Sequence, residues 1–424
     1  MMSKLAGNCL VAQSGGPTSV INASACGVIQ EAFKTGEINE VYGALNGIAG
    51  VLNEEFFSFN QESPEEIELL KVTPAAALGS CRYKLKSLEK SDGDFKRIIE
   101  VFKAHNIRYF FYIGGNDSMD TAYKVSLYAQ KVGYELKSIG VPKTIDNDLP
   151  VTDHTPGYGS AAKFIATSIK EIGLDARVYN YNTVTICELM GRNAGWLTAS
   201  AALAKKYKDD APHYIYLPEV AFTLEQFDKD VRYALEKYNY AVIAVSEGIK
   251  NEQGQYISEM YRDLQIKDAF GHVQLGGVST ILESYVSQNI CKKVRTVNYS
   301  TIQRSSAHCA SLTDNEEAYL CGQMAVRYAI EGHTGKMIGL FRESTADYKC
   351  TTQLVDLDDV ANQERKIPRE WITEEGNNIK QEAIDYIRPL IMGEVKIRME
   401  NGIPRYCRLN KRLIEQKLDT WNVK

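Results

Sequence analysis

Tyr109-Phe110-Phe111-Tyr112-Ile113 is an unbroken apolar run, and Gly114-Gly115-Asn116-Asp117-Ser118 ends it. A run of this length without polar alternation reads as a strand covered on both faces, the habit of parallel sheets. From about Ser118 to Lys131 the apolar residues recur at helical spacing. The unit is strand, glycine turn, helix, and it repeats in both directions along the chain. Upstream, Cys9-Leu10-Val11-Ala12 stops at Ser14-Gly15-Gly16-Pro17, followed by a helical pattern through Val20, Ile21, Ala23, Ala25, Val28, Ile29 and Phe33. Val41 to Leu45 precedes a turn at Asn46-Gly47. Downstream, Ser138 to Val141 runs into Pro142-Lys143-Thr144-Ile145-Asp146-Asn147-Asp148, and Val184 to Cys187 precedes Met190-Gly191-Arg192 and a helix reaching Leu203. Tyr214 to Leu217 leads to Pro218-Glu219, and Ala241 to Val245 to Ser246-Glu247-Gly248. The fold class read from this rhythm is α/β, with mostly parallel sheets between helical layers. The 424 residues exceed one small core and suit two or three lobes. From Cys350 onward the chain is more charged and less periodic, and reads as a lobe edge or tail with two or three helices.

The bulk composition excludes several classes. Hydrophobic residues at 44% and charged residues at 24% describe a globular chain rather than a disordered or fibrous one. A net charge of −5 lacks the basic excess of a general nucleic-acid binder. No apolar run approaches the ~20 residues that span a bilayer, and the first residues lack a signal core, so the expected location is cytoplasmic. The nine cysteines contain no CxxC pair and are read as free thiols.

The polar clusters follow the apolar strands, where open α/β sheets bind ligands. Gly15-Gly16 and Gly114-Gly115 permit close backbone approach, and a helix N-terminus beyond such a turn offers free N–H groups to phosphate. Either turn could equally be a tight connection. Gly157-Tyr158-Gly159-Ser160 has the look of a dinucleotide fingerprint but does not follow a strand, and is discounted. Asp146 and Asp148 lie two residues apart beyond a strand, beside Lys143. They are either a solvated acidic loop or the base and metal carboxylates that phosphoryl transfer requires. Arg192, Arg295 and Arg304 are candidate grips for an anionic substrate, with ordinary surface charges as the alternative.

Taken together, the clusters resemble the phosphofructokinase family from about Leu10 to about Arg342. The resemblance rests on Ser14-Gly15-Gly16, Leu78-Gly79-Ser80-Cys81-Arg82, Gly114 to Ser118, Pro142 to Asp148, Met190-Gly191-Arg192, Pro218-Glu219-Val220 and Ile302-Gln303-Arg304. It implies two three-layer α/β lobes with a helical C-terminal extension: 1–157 with 303–355 for the phosphoryl donor, 158–302 for fructose 6-phosphate, and 356–424 packed on the lobes. The implied reaction is reversible, Mg²⁺-dependent transfer of a phosphoryl group to the C1 hydroxyl of fructose 6-phosphate, a step of glycolysis. Asp146 matches the general base, and Thr144 lies beside the transferring group. Asn116 and Asp148 match the metal positions, with Asp117 an alternative because an aspartate usually stands at 116. Gly15, Gly115, Lys143 and Arg82 fall on the donor side. Met190, Gly191, Arg192, Glu219, Glu247, Arg295, Thr301 and Arg304 match sugar-phosphate positions. Arg295 would be lent by a neighbouring subunit, which implies a homodimer or homotetramer. Thr183 replaces an expected arginine and Thr301 an expected histidine, leaving Tyr299 or His308 as substitutes.

Asp117 and Lys143 stand where ATP-using relatives carry glycine, and resemble the branch that uses diphosphate. A carboxylate at 117 meets the α-phosphate of ATP with like charge and bulk. An ammonium at 143 stabilises the leaving phosphate. The alternatives are an ATP-dependent member and a non-catalytic regulatory homologue.

Overall fold

The computed structural model describes residues 5–81, 83–86, 91–260 and 277–421. The first sheet is built of β1 (Gly7–Gln13), β2 (Ile38–Ala44), β3 (Phe56–Ser58), β4 (Ile107–Gly114), β5 (Lys137–Pro142) and two strands from much later in the chain. A second sheet uses β6 (Thr183–Leu189), β7 (Tyr214–Tyr216), β8 (Tyr240–Ser246) and β9 (Val294–Asn298). The returning strands are β10 (Lys336–Ser344) and β11 (Lys349–Asp356). Among the described residues the large sheet has the order β11-β10-β5-β4-β1-β2-β3 and the small one β7-β8-β6-β9. Within these two sheets every pairing is parallel except at the two edges of the large one, where β3 and β11 run antiparallel to their neighbours.

The apolar runs are continuous because each strand has a core on either side. In β4, Phe110 and Tyr112 face one apolar cluster, while Tyr109, Phe111 and Ile113 face another. In β1, Leu10 and Ala12 join the first, and Cys9 and Val11 the second. Helices Gly93–Ala104 and Asn116–Lys131 cover the first face, and Ile21–Ala32 with Leu312–Ile330 the second. The small sheet is likewise covered by Tyr158–Ala176 on one face and by Leu224–Tyr238 and Val278–Asn289 on the other. Both lobes therefore have the three-layer α/β/α build read from the sequence.

The two glycine turns differ. Gly115 directly precedes the helix Asn116–Lys131. After Gly15-Gly16 the helix starts only at Ile21, whose N–H donates to Thr18 Oγ1 at 2.9 Å. The helix thus begins within one residue of the apolar pattern, which opens at Val20, and the Thr18 hydroxyl accepts from its first N–H.

The extension beyond Asp356 carries the short helices Leu357–Val360 and Gln381–Ile387, single turns, and a small antiparallel pair of Met399–Glu400 with Ile403–Pro404. It is woven into the fold rather than laid on it. Ile367, Ile372, Ile379, Ala383, Ile387 and Leu390 are buried in the core of the small lobe. Further on, Lys417 and Leu418 donate backbone N–H bonds to the buried Glu54 of the large lobe. No described helix is long and apolar enough to cross a membrane, and all nine cysteines are free.

Candidate active site

The carboxyl ends of β1, β4 and β5 open into a cleft of about 720 Å³. Gly15, Gly115, Asn116, Asp117, Lys143, Thr144, Asp146, Asp148 and Arg304 all line it, as nine of the residues picked from sequence. Gly15 has φ +78°, and a Cβ there would lie 3.0 Å from the Lys143 ammonium. Only glycine satisfies both the left-handed backbone and the space. Lys143 is buried and donates to the Gly16 carbonyl at 2.7 Å. Ser80 holds the same turn through the Gly15 carbonyl at 2.7 Å. At the second turn, the first N–H groups of the helix beginning at Asn116 have no intrahelical acceptor and face the cleft.

The loop after β5 is tied at each residue. Thr144 Oγ1 accepts from the Asp146 amide at 3.0 Å, and the Thr144 carbonyl accepts from Thr155 Oγ1 at 2.9 Å. Asn147 is fully buried with φ 53°, a conformation asparagine tolerates better than most residues. Its side chain accepts from the Thr155 amide at 3.1 Å and donates to the Tyr386 hydroxyl at 2.9 Å. Asp146 and Asp148 are thereby presented to the cleft on a fixed frame.

Their environment is short of water and rich in negative charge. Burial, and then the neighbouring Asp148 and Glu247 carboxylates, push the Asp146 carboxyl up to about 7 against the pull of Lys143. Burial also raises Asp148 and Glu247, the latter opposed by Arg192. Burial lowers the Lys143 ammonium to about 8, against the pull of Asp146. Arg304 reaches the cleft beside Gly16, and its buried Nε has no hydrogen-bond partner. A carboxyl near neutrality beside the buried Lys143 and the half-buried Arg304 is the pattern of an acid–base site built for an anion.

The small-lobe residues picked from sequence, Met190, Gly191, Arg192 and Glu247, are not among those lining this cleft. Gly191, at φ +118°, is fixed by Ser246 Oγ donating to its carbonyl at 2.7 Å. The Met190 amide donates to the buried Gln303 Oε1 at 3.2 Å, which joins the turn at 190–192 to the helix carrying Arg304. Glu247 follows β8 and acts on Asp146 through charge.

Other residues picked from sequence sit elsewhere or are already engaged. Asn116 Oδ1 accepts from the Asn362 amide at 2.6 Å, and its amide group donates to the Gln363 carbonyl. Its oxygen is therefore committed to the C-terminal segment. Glu219 Oε1 accepts from the amides of Gly195 at 2.8 Å and Ile367 at 3.2 Å, while its Oε2 is buried without a partner. Thr301 is exposed, and Tyr299 is core, edge-on to Phe164, so it is no substitute phosphate ligand. Arg295 is exposed on the edge strand β9 and pairs with Asp175 at 3.3 Å. Arg82 lies outside the described residues. The discounted glycine pattern at 157–160 is explained: the Asp314 carboxylate accepts from the amides of Gly157 at 2.8 Å and Ser160 at 2.9 Å, filling that helix N-terminus itself.

Two charged cleft residues went unnoticed in the sequence. Lys84 pairs with the exposed Asp117 at 3.1 Å. Glu364 brings a further carboxylate from the C-terminal extension, where no motif marks it.

Glycine turns, cationic side chains and paired carboxylates gathered in one cleft are the parts that a phosphotransferase uses. The phosphofructokinase family model matches residues 8–297, well over half the chain, and the chain belongs to that family. It is 45% identical to the pyrophosphate–fructose 6-phosphate 1-phosphotransferase of Halomonas elongata, over 97% of this chain and 98% of that one. The enzyme of the same name from Xanthomonas campestris is also 45% identical, covering 98% and 99%. The crystal structure of the pyrophosphate-dependent phosphofructokinase from Marinobacter aquaeolei superposes with TM-score 0.89 at 42% identity, covering 98% of this chain and all of that one.

Proposed function

We propose that this chain transfers a phosphoryl group from diphosphate to the C1 hydroxyl of fructose 6-phosphate, reversibly, giving fructose 1,6-bisphosphate and phosphate. The observation that carries the reading is the pairing of a near-neutral Asp146 with a buried Lys143 in one cleft. Asp146 takes the C1 hydroxyl proton. Lys143 and Arg304 meet the charge on the transferring and leaving phosphates, and the turns at Gly15 and Gly115 admit them. Thr144 holds the loop and borders the transferred group. Met190, Gly191, Arg192 and Glu247 face the sugar phosphate from the small lobe. The donor lobe comprises 1–157 and 303–355, the acceptor lobe 158–302, and the extension 356–424.

A divalent cation suits this cleft, since Asp148 and Glu364 both raise the Asp146 carboxyl and Glu364 raises that of Asp148. Mg²⁺ would neutralise the phosphate oxygens; Asp148 and Asp117 would hold it, because the Asn116 oxygen is already bonded. Asp117 also sets the donor. Its side chain, paired with Lys84, is 81% exposed at the cleft, where its bulk and charge oppose the longer polyphosphate of ATP. Turnover of fructose 6-phosphate with Mg²⁺ is expected with diphosphate and not with ATP. Asp117→Gly is expected to raise kcat/KM for ATP by at least about tenfold, the worth of ~1.4 kcal/mol of removed repulsion. Wild-type turnover with ATP alone would overturn the donor assignment.

Arg295 has no role in its own chain's cleft. It pairs with Asp175 and lies 5.3 Å from the centre of the Tyr179 ring, and beside these in the chain, on the end of a helix and the loop beyond it, Leu174, Val178 and Tyr181 are 54%, 71% and 45% exposed. This apolar rim around a cationic group supports a contact with a second copy, in a cytoplasmic homodimer or homotetramer. Sedimentation of active protein is expected to show at least a dimer, and Arg295→Ala to raise KM for fructose 6-phosphate. A fully active monomer would refute the arrangement.

A further inference from the structure

Between Asn362 and Ile367 the chain is tied to both lobes. On the large lobe, Asn116 bonds the backbone of Asn362 and Gln363. On the small lobe, Asn193 Nδ2 donates to Glu364 Oε1 at 2.9 Å, the Trp196 indole N–H to the Arg365 carbonyl at 3.0 Å, and the Ile367 amide to Glu219 at 3.2 Å.

Between these anchors Arg365 faces the loop that follows β5. Its amide donates to the Asp148 carbonyl at 2.7 Å. Its guanidinium donates to the carbonyls of Asn147 at 3.0 Å, Thr152 at 2.9 Å and Asp153 at 2.5 Å. The cation lies 4.8 Å from the centre of the Trp196 ring. One side chain thus gathers three backbone carbonyls, and charge-assisted bonds of this kind are roughly twice as strong as neutral ones. The loop requires such ties. Both Asn147 and Val151 have positive φ, 53° and 57°, and for a β-branched valine that conformation persists only under external constraint.

We propose that the 362–367 segment is a strap that positions the catalytic loop: Arg365 holds the backbone carrying Asp146 and Asp148 in place for phosphoryl transfer, while the strap's outer bonds fix that backbone relative to both lobes. The inference rests on the role given to Asp146 above. Arg365 touches neither reacting group, so it is a positioning residue, and its loss affects the alignment on which turnover depends. A misplacement of ~1 Å at a reacting centre costs about 10²-fold in rate.

The test uses the full chain, with kinetics and backbone hydrogen exchange measured side by side. Arg365→Ala is expected to lower kcat with diphosphate by about 10²-fold while KM for both substrates stays within about threefold, the signature of a lost transition-state arrangement. Exchange of the amides at 144–153 is expected to quicken in substrate-free protein, with Tm close to wild type. Arg365→Lys, which keeps the charge but not the fork, is expected to recover only part of kcat. Should the alanine variant not fold, Arg365→Gln serves for both measurements, with the same direction expected. A kcat near wild type, unchanged loop exchange, or loss of kcat only in step with loss of Tm would each overturn the proposal. If wild type itself fails to use diphosphate, the reaction assignment falls; loop exchange still separates a clamped loop from a free one.

Discussion

Asp146→Asn is expected to abolish most turnover and at the same time to stabilise the protein. The amide cannot take the C1 hydroxyl proton, and loss of a general base lowers kcat by about 10²–10⁴-fold. The stability effect follows from the same surroundings. Burial and the charges of Asp148 and Glu247 hold this carboxyl at about 7, against an ordinary value of 3.8. Between those two values the unfolded chain has released the proton and the folded chain still keeps it. Stability is therefore lost as pH rises from 3.8 through about 7, and the whole penalty is present above that. Asparagine never carries the charge. In metal-free buffer the variant's Tm should exceed wild type by several degrees at pH 8 and match it near pH 4. The gain belongs to the usual exchange of stability for activity at a charged site. Near-normal kcat would remove Asp146 from the chemistry. A lower Tm at pH 8 would show that the carboxylate is held by partners rather than crowded by like charge.

Lys143→Met is expected to cost about 10²–10³-fold in kcat with diphosphate, the worth of one fixed group stabilising charge in the transition state. The side chain is buried and reaches into the cleft between the turn at Gly15 and Asp146, so the loss falls on the transferred and leaving phosphates. Its ammonium is lowered to about 8 from 10.5 by burial. The charged form is therefore penalised in the folded state at every pH below about 8, with relief as pH rises from there to 10.5. Methionine has similar length and removes that penalty at pH 7, although it leaves the Gly16 carbonyl without its donor, about 1 kcal/mol in the other direction. Tm at pH 7 should thus hold or rise while kcat collapses. Parallel loss of both would place Lys143 among structural residues.

The strands and the donor half of the site were legible because both depend on short-range pattern. An apolar run such as Tyr109–Ile113 needs two covered faces, and Gly114-Gly115 must then turn the chain into the helix at Asn116. Asp146 and Lys143 follow β5 by a few residues, so the strand itself aims them at the cleft. The resemblance to the phosphofructokinase family added the acceptor-side residues and the choice of donor. It did not show how individual side chains are engaged where tertiary neighbours intervene. Asn116 looked like a metal position and instead bonds the segment at 362–363; Tyr299 looked available and is packed in the core.

By itself the sequence determined the α/β class, the order of strand and helix, and the residues set beyond each strand, because hydrophobic period and glycine turns act over a few residues. Tertiary structure alone decided what the extension does. Ile367, Ile372 and Ile379 are too widely spaced among polar residues to announce a core, yet they complete that of the small lobe. Glu364 and Arg365 sit more than 200 residues from the loop they adjoin, and no local pattern encodes a contact of that span. The near-neutral base is also a tertiary product: an aspartate's charge is written in the sequence, but the burial and the neighbouring carboxylates that raise it exist only once both lobes have closed around the cleft.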